Sequence, residues 1–360
     1  MPIVAHNELP TYHRLRLEGY EVLSCDRAKN QQIRELHLGL LNMMPDAALA
    51  ATERQFYRLV GESNLIAQFH IHPFTLDELP RSDQAREHVD NYYDRFEALQ
   101  EQGLDGLIIS GANVTRPHLE DNAFWQPLTE VIAWAQDNVT SVLCSCLATH
   151  ALVQHRYRIR RYPLGFKRWG VFEHQVTAPH HPLVVDVNTR FDVPHSRFNQ
   201  VDRTQMEASG LQVLVESAEA GVHLAVSPDL FRTVFFQGHP EYDTLSLLKE
   251  FKRETVLWFR GERDDYPPFP DNYLSPRARA ILSEYAQQLR AARKAGSNMP
   301  EFPEALILPL LNNTWRDSAK SIVSNWVGKL YQITNMDRRR PFMDGVDPDD
   351  PLGIRRPASS

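Results

Sequence analysis

The sequence predicts an α/β protein with a mostly parallel sheet and helices on both faces. Short apolar segments rich in β-branched residues alternate along the chain with longer segments of helical periodicity. Strands that are joined through helices pair in parallel, and their helices cover both faces of the sheet. Two apolar segments end directly at Ser110-Gly111 and at Cys146, which is where ligands bind in such sheets.

The individual elements follow in order. The first strand is the apolar segment 36–41, and the first helix starts at Pro45-Asp46, a typical helix beginning. The predicted strands are 36–41, 65–72, 105–110, 139–145, 170–175, 211–216, 222–227 and 233–236. The predicted helices are 46–60, 87–99, 124–137, 243–260, 275–292 and 312–331.

Composition places the chain among ordinary globular proteins. Its 360 residues are 42% hydrophobic and 24% charged, and the net charge of −7 does not favour a nucleic-acid partner. We expect no membrane span, because no apolar run approaches about 18 residues. The N-terminal residues do not resemble a signal peptide, and three cysteines suit a reducing cytoplasm.

The chain is expected to form one domain over residues 1–337. This domain includes an N-terminal arm of about 1–34 and a C-terminal helical part of about 275–335. Prolines, aspartates and arginines dominate from Arg338 onward, so residues 338–360 are predicted to be a flexible tail.

Cys146 is the strongest candidate for a catalytic residue. It stands between the strand 139–145 and a helical start rich in small residues, so it occupies the apex of a strand-to-helix turn. The N–H groups of a helix start stabilise a thiolate. Most free cysteines are inert core residues, and Cys144 is expected to be one of them. No second ligand pair stands at zinc-like spacing, so no metal is predicted at these cysteines.

His239 and Glu241 are the predicted partners of Cys146. They follow the strand 233–236, so His239 is able to reach a nucleophile on a neighbouring strand while Glu241 orients the imidazole. Gly238-His239-Pro240-Glu241 is equally suited to begin a helix, and both interpretations can hold together. His150 is a rival base, although its helix is expected to turn it away from Cys146.

Two further segments have a chemical and a structural interpretation. Ser110-Gly111-Ala112-Asn113 resembles a loop that completes an oxyanion site, but any strand-to-helix turn can carry glycine. The arginine-rich segment 155–162 is either a solvated edge or a patch for anionic groups such as the phosphates of coenzyme A.

Several segments, in one order, match a known family. The matching segments are Leu41-Asn42-Met43-Met44-Pro45, Thr52-Glu53-Arg54-Gln55, residues 105–112, Gly170-Val171-Phe172-Glu173-His174, Pro194-His195-Ser196-Arg197, Gly238-His239-Pro240-Glu241-Tyr242-Asp243 and Ser324-Asn325-Trp326. With these segments the chain resembles the homoserine O-acyltransferases of methionine biosynthesis, of the homoserine O-succinyltransferase type. The resemblance implies a class I glutamine amidotransferase-like (flavodoxin-like) three-layer sandwich.

The resemblance also implies roles for particular residues. Cys146 matches the residue that becomes the acyl-thioester, His239 the general base and Glu241 its partner. Lys167 and Ser196 fall at substrate-contacting positions. Arg253 matches an arginine that binds the carboxylate of the amino acid, a task that suits a bidentate side chain. One departure is that Leu147 and Ala148 replace the tryptophan and glycine that usually follow the cysteine.

Thr115 bears on the acyl donor. In this family a glutamate at the matching position accompanies acetyl-CoA and a glycine accompanies succinyl-CoA. Thr115 does not repel the free carboxylate of a succinyl group, and Arg116 beside it attracts that carboxylate. We therefore expect succinyl-CoA as the donor.

The resulting expectation is a homoserine O-succinyltransferase that works through an acyl-thioester on Cys146. Succinyl-CoA is expected as a co-substrate, and no permanently bound cofactor is expected. The expected partners are the small-molecule substrates and a second copy of the chain in a homodimer. Three alternatives stay open. They are O-acetyl transfer to homoserine or serine, a glutaminase that supplies a synthetase, and a catalytically silent binding protein.

Overall fold

A computed structural model describes residues 3–31, 33–114 and 116–355. Within these residues the chain forms one eleven-stranded sheet and twelve α-helices. The strands are β1 (Ile3–Ala5), β2 (Val22–Ser24), β3 (Glu35–Leu41), β4 (Gln68–Phe74), β5 (Gly106–Ile109), β6 (Ser141–Ser145), β7 (Tyr162–Val176), β8 (Arg190–Gln200), β9 (Gln212–Ser217), β10 (Gly221–Val226) and β11 (Thr233–Phe236). The helices are α1 (Pro10–Leu17), α2 (Cys25–Lys29), α3 (Asp46–Ser63), α4 (Asp83–Tyr92), α5 (Phe96–Gln102), α6 (Trp125–Asn138), α7 (Leu147–Tyr157), α8 (Arg203–Ala208), α9 (Ser246–Arg260), α10 (Pro276–Ala295), α11 (Glu304–Ile307) and α12 (Arg316–Ile333).

The sheet is mostly parallel, as predicted. Its strand order is β2-β1-β4-β3-β5-β6-β11-β10-β9-β7-β8. The strands from β2 to β11 in this order run parallel, and β10, β9, β7 and β8 extend the sheet in antiparallel fashion. The carboxyl ends of β5, β6 and β11 therefore meet at one edge.

Helices cover both faces of this sheet, which confirms the predicted layering. Leu36, Leu38 and Leu40 of β3 point into a cluster that contains residues of α1, α3 and α12. Side chains that point to the other face of the sheet, such as those of Leu107 and Ile109 of β5, pack with α5, α6 and α7. Alternation along each strand sends neighbouring residues to opposite faces, so one sheet separates two cores.

A third apolar cluster lies beyond the antiparallel end of the sheet. It joins α9 and α10 to Trp169 and Val171 of β7, with Phe251 buried at its centre. This cluster fixes the position of α9, the helix that carries Arg253.

One predicted helix is divided in the structure, and one strand of the antiparallel part of the sheet was not predicted. The single helix expected over 87–99 is two helices, α4 and α5, because the backbone N–H of Asp94 bonds to Pro73 of β4 and interrupts the helical pattern. Strand β8 was missed, because its polar residues and Pro194 hide the alternation that marks a strand.

Both ends of the described chain lie against the rest of the molecule. Strand β1 pairs with β2 and β4, so the arm contributes to the sheet. Beyond Arg338, Phe342 is buried and the backbone N–H of Met343 donates to Ile333 at 3.0 Å. The flexibility of 338–360 stays a prediction, and 356–360 lie outside the described residues. Among the described residues, no helix is both long and apolar enough to cross a membrane.

Candidate active site

Cys146 occupies the turn between β6 and α7. Its φ of 53° and ψ of −109° put a non-glycine residue in a sparsely populated conformation. Such a conformation costs about 1–3 kcal/mol and persists where the surroundings impose it. Here the backbone N–H of Cys146 donates to the carbonyl of Phe236 in β11 at 2.8 Å. The strand end and the helix start thus hold the thiol at the carboxyl edge of the sheet.

His239 and Glu241 lie beside Cys146 because β11 pairs with β6. Phe236 is aligned with Ser145, and the chain continues from Phe236 to His239 at the same edge. The Nδ1 of His239 bonds to Glu241 Oε1 at 2.8 Å, and the Ser145 hydroxyl donates to Glu241 Oε2 at 3.2 Å. With Nδ1 engaged by Glu241, Nε2 is the nitrogen left for Cys146.

The protonation of His239 follows from these neighbours. Burial acts to lower the pKa of His239, but the negative charges of Cys146 and Glu241 outweigh it and raise this pKa well above its usual value. The site therefore favours a protonated His239 beside the Cys146 sulfur, an arrangement that activates a cysteine nucleophile.

Gly238 allows the histidine segment to approach β8. A Cβ atom at Gly238 would lie 2.6 Å from Val193 Cγ1 and 2.9 Å from His223 Nδ1. The backbone N–H of His239 also donates to the carbonyl of Pro194 at 2.9 Å. Only glycine lets β8 and the segment after β11 come this close.

Two cavities meet at Cys146. The larger has a volume of about 760 Å³ and the smaller about 350 Å³. Residues shared by both linings are Ala112, Asn113, Cys146, Ser196 and Arg253. The larger cavity is lined by the arginines Arg116, Arg160, Arg161 and Arg197, while the smaller contains His239, Glu241 and Glu250. Cys146 is thus accessible from two compartments of different chemistry.

Glu250 connects the predicted substrate-contacting residues. Its Oε2 accepts from Lys167 Nζ at 2.9 Å and from Ser196 Oγ at 2.7 Å. Its Oε1 accepts from the Tyr242 hydroxyl at 2.7 Å, and the Tyr242 ring stacks on His239 with 4.1 Å between centroids. Burial raises the pKa of Glu250, but Lys167 and these hydrogen bonds outweigh it, so the pKa is lowered overall. Glu250 is therefore an ionised carboxylate that holds three side chains of the site.

The structure brings every described candidate to one region. Lys167, Ser196 and Arg253 line the cavities with Cys146, and the Arg253 side chain is half-exposed. Their contacts with substrate stay predictions. Thr115 lies outside the described residues, although Val114 and Arg116 on either side line the larger cavity. Glu250 was missed, although its position one turn before Arg253 on α9 is a usable signal.

His150 and Cys144, the weaker candidates for a catalytic role, are both buried in the structure. His150 is buried, its Nε2 bonds to Gln237 Oε1 at 3.0 Å, and burial lowers its pKa to about 3. Its Nε2 is thus engaged by Gln237, although His150 also lines the larger cavity with Cys146. Cys144 is packed among apolar side chains, and burial raises the pKa of its thiol.

The predicted oxyanion loop and part of the arginine-rich segment lie beside the same cavities. A Cβ atom on Gly111 would lie 3.6 Å from Cys146 Cβ, so the Gly111 loop borders the thiol. Of the segment 155–162, Arg160 and Arg161 line the larger cavity. Arg156 instead lies by a small cleft against α6 and Arg232.

A cysteine at a strand-to-helix turn, beside a histidine that a glutamate holds, gives this α/β protein an arrangement suited to acyl transfer. The model of the family described as "HTS: Homoserine O-succinyltransferase" matches residues 2–336. The chain belongs to this family of acyltransferases.

Curated relatives cover almost the whole chain. A homoserine O-succinyltransferase of Thiothrix nivea is 69% identical, over 99% of this chain and 99% of its own. One of Methylococcus capsulatus is 65% identical, over 98% of this chain and 100% of its own. One of Cardiobacterium hominis is 48% identical, over 99% of this chain and 100% of its own.

Solved structures with a similar arrangement include glutamine amidotransferases. One from Thermotoga maritima has a TM-score of 0.43 at 10% identity, and covers 82% of this chain and 98% of its own. One from Methylobacillus flagellatus has a TM-score of 0.42 at 10% identity, and covers 82% of this chain and 95% of its own.

Proposed function

We propose that this chain transfers a succinyl group from succinyl-CoA to the hydroxyl of L-homoserine. Cys146 carries the group as a thioester, and the reaction is the first committed step of methionine biosynthesis. The observation that supports this most strongly is the position of Cys146 between two cavities, within reach of the His239–Glu241 pair. The names of the relatives agree with the acceptor and the acyl group.

In the first half-reaction the Cys146 sulfur attacks the carbonyl carbon of succinyl-CoA. The new carbon–sulfur bond replaces the bond to the CoA sulfur, and His239 gives its proton to the departing thiolate. Backbone N–H groups near Gly111 and at the start of α7 are suited to stabilise the tetrahedral oxyanion. Arg160 and Arg161 in the larger cavity are suited to bind the phosphates of CoA.

In the second half-reaction homoserine attacks the thioester. Neutral His239 removes the hydroxyl proton as the oxygen bonds to the carbonyl carbon, and the bond to Cys146 breaks. The Cys146 thiolate and the His239 imidazolium are thereby restored, so protons and bonds balance over the cycle. Such base catalysis typically contributes about 10²–10⁴-fold.

The acceptor is held by Arg253 and positioned by the Glu250 contacts. Arg253 is half-exposed at the junction of the two cavities, where its guanidinium is able to pair with an amino-acid carboxylate. Lys167 and Ser196 are fixed by Glu250, so they present preorganised polar atoms to the substrate. The enzyme is proposed to act as a homodimer in the cytoplasm, where thiols stay reduced.

The thioester is tested by mass. Tag-free protein incubated with succinyl-CoA alone is expected to gain one succinyl group, located on Cys146 by peptide mapping. Cys146→Ala is expected to gain none, whereas Cys25→Ala, a matched thiol control outside the site, keeps the adduct. An adduct on the Cys146→Ala protein, or undiminished turnover by it, contradicts the proposal.

The donor is tested by a side-by-side assay. Acetyl-CoA and succinyl-CoA are each supplied with homoserine and with serine, and kcat/KM is compared. Succinyl-CoA with homoserine is expected to be the best pair, because Arg116 favours a donor with a free carboxylate. A strong preference for acetyl-CoA would overturn the donor assignment and leave the thioester mechanism intact.

A further inference from the structure

Four histidines lie on one face of the sheet, three of them on β3 and β4 and the fourth directly after β1. His37 of β3 is aligned with His70 of β4, and His72 lies two residues further on the same face. Ile3 of β1 is aligned with Phe69 of β4, and continuing this register brings His6 level with His72. The rings of His6 and His72 lie 4.7 Å apart, and those of His37 and His70 lie 4.6 Å apart.

The hydrogen bonds of this cluster leave one nitrogen of His6 available. His72 Nδ1 bonds to Asp94 Oδ2 at 2.9 Å, and His72 Nε2 bonds to His37 Nδ1 at 2.9 Å. His6 Nδ1 faces the Tyr12 hydroxyl at 3.2 Å, while His6 Nε2 is buried without a hydrogen-bond partner. Because buried polar atoms are nearly always satisfied, this nitrogen needs an explanation.

We propose that His6, His72 and Asp94 bind a divalent transition-metal ion of the zinc type. One ligand atom from each residue lies within 4.8 Å of the others, and about 3.4 Å separates the ligand atoms of a tetrahedral zinc site with bonds of about 2.1 Å. Two imidazoles and a carboxylate are a typical zinc ligand set, with a fourth position open to water. The ion inserts between His72 Nδ1 and Asp94, while His72 Nε2 keeps its bond to His37, as outer-shell partners do.

A neighbouring group is a weaker candidate on electrostatic grounds. Glu35, His37 and His70 also lie within 4.8 Å of one another. Glu35, however, is 3.5 Å from His37 and 3.8 Å from His70, and its side chain is 42% exposed. The charge of Arg338 acts on both His37 and His70 and opposes a cation there, whereas Asp94 favours one at His6.

The ion would act on the fold rather than on acyl transfer. It ties the residue after β1 to β4 and to the connection between α4 and α5, so it fastens the N-terminal arm to the sheet. Strands β3 and β5 separate β4 from β6, the strand that leads to Cys146. Sequence spacing conceals the site because its ligands come from distant segments.

The test uses tag-free, full-length protein that has been stripped with a chelator and dialysed. Titration with Co²⁺ alone is expected to give one equivalent bound, with the visible absorption of tetrahedral cobalt, and Zn²⁺ is expected to displace it. Zn²⁺ is also expected to raise the Tm of the stripped protein. Asp94→Asn, which keeps the shape of the side chain, and His72→Ala are both expected to lose these responses.

His13→Gln is the matched control, since His13 is an exposed histidine on α1. It is expected to bind Co²⁺ like the unaltered protein, and acyl transfer by Asp94→Asn is expected to be unchanged. The proposal is overturned if the stripped protein shows no cobalt absorption, or if binding persists in Asp94→Asn. It is also overturned if Glu35→Gln abolishes binding while Asp94→Asn does not.

Discussion

The positive φ of Cys146 is the residue-scale feature on which the site depends. The Phe236 carbonyl holds the N–H of Cys146, and the Cys146 carbonyl accepts from His150 at the start of α7. The following residues, Leu147 and Ala148, are both buried in the apolar core, and Leu147 also lines the larger cavity together with Cys146. The core thus accommodates the residues that replace the usual tryptophan and glycine.

After Cys146, Glu241 is the main cause of the raised pKa of His239, and this leads to a prediction about pH dependence. In Glu241→Gln the carboxylate charge is lost, so the pKa of His239 is expected to fall toward that of an ordinary buried histidine. Acylation needs the imidazolium, so the upper pH limit of kcat/KM for succinyl-CoA is expected to move to lower pH. Glu173→Gln, an exposed carboxylate on β7, serves as the control with an unshifted profile. An unshifted limit in Glu241→Gln contradicts the assigned role.

Glu250 is a positioning residue for Lys167 and Ser196. Glu250→Gln weakens charged hydrogen bonds worth about 1.5–3 kcal/mol, so kcat/KM for homoserine is expected to fall about 10- to 100-fold. Acylation of Cys146 by succinyl-CoA is expected to change much less. Glu304→Gln removes a similar lysine pair, 2.8 Å from Lys252, and provides the control. Equal loss in both half-reactions would indicate a structural role.

At the scale of elements, β8 and the segment after β11 pack together only because the backbone at Gly238 lies close to the Val193 side chain. Gly238→Ala places a methyl group 2.6 Å from Val193, and such overpacking costs about 1–3 kcal/mol. The free energy of unfolding from urea titration is expected to fall by that amount. Gly328→Ala on α12, where the new Cβ meets nothing within 4 Å, is expected to leave stability unchanged or raise it by up to about 1 kcal/mol. Similar losses in both variants would refute the close-approach argument.

The elements that were predicted carry their pattern within their own segment, whereas those that were missed depend on contacts with distant segments. Strand β11 occupies the predicted residues 233–236, and β6 the end of its predicted segment, because each is a continuous apolar run bounded by polar residues. Strand β8 has no such run, and its pairing with β7 supplies its hydrogen bonds. The break between α4 and α5 depends on the contact between Asp94 and β4, which no local pattern reveals.

At the scale of the whole molecule, buried neutral histidines predict sensitivity to acid. Burial lowers the pKa of His150 to about 3 and those of His174 and His181 to about 4, and it lowers the pKa of His195 and His223 well below the usual value. From pH 6.5 to about 4 the unfolded chain binds protons that the folded chain does not. The free energy of unfolding therefore falls as pH falls through this window.

The measurement is urea unfolding at pH values between 7.5 and 5. Each such histidine is expected to contribute up to about 1.4 kcal/mol per pH unit. His239 has the opposite sign: its raised pKa stabilises the fold below pH 6.5, and this contribution is lost as pH rises. His181→Gln, which removes one of the lowered groups, is expected to flatten the slope. A stability that rises on acidification would contradict this account.

Local pattern was enough to establish the α/β class, the mostly parallel sheet and the turn at Cys146, because apolar periodicity and strand-to-helix boundaries are properties of neighbouring residues. It also placed His239 and Glu241 at the end of a strand, where a parallel sheet gathers functional groups. Their meeting with Cys146 required the pairing of β11 with β6, which strand order decides. Glu250 as a shared carboxylate, and the cluster of His6, His72 and Asp94, were decided by tertiary structure alone, since their contacts join segments far apart in the chain.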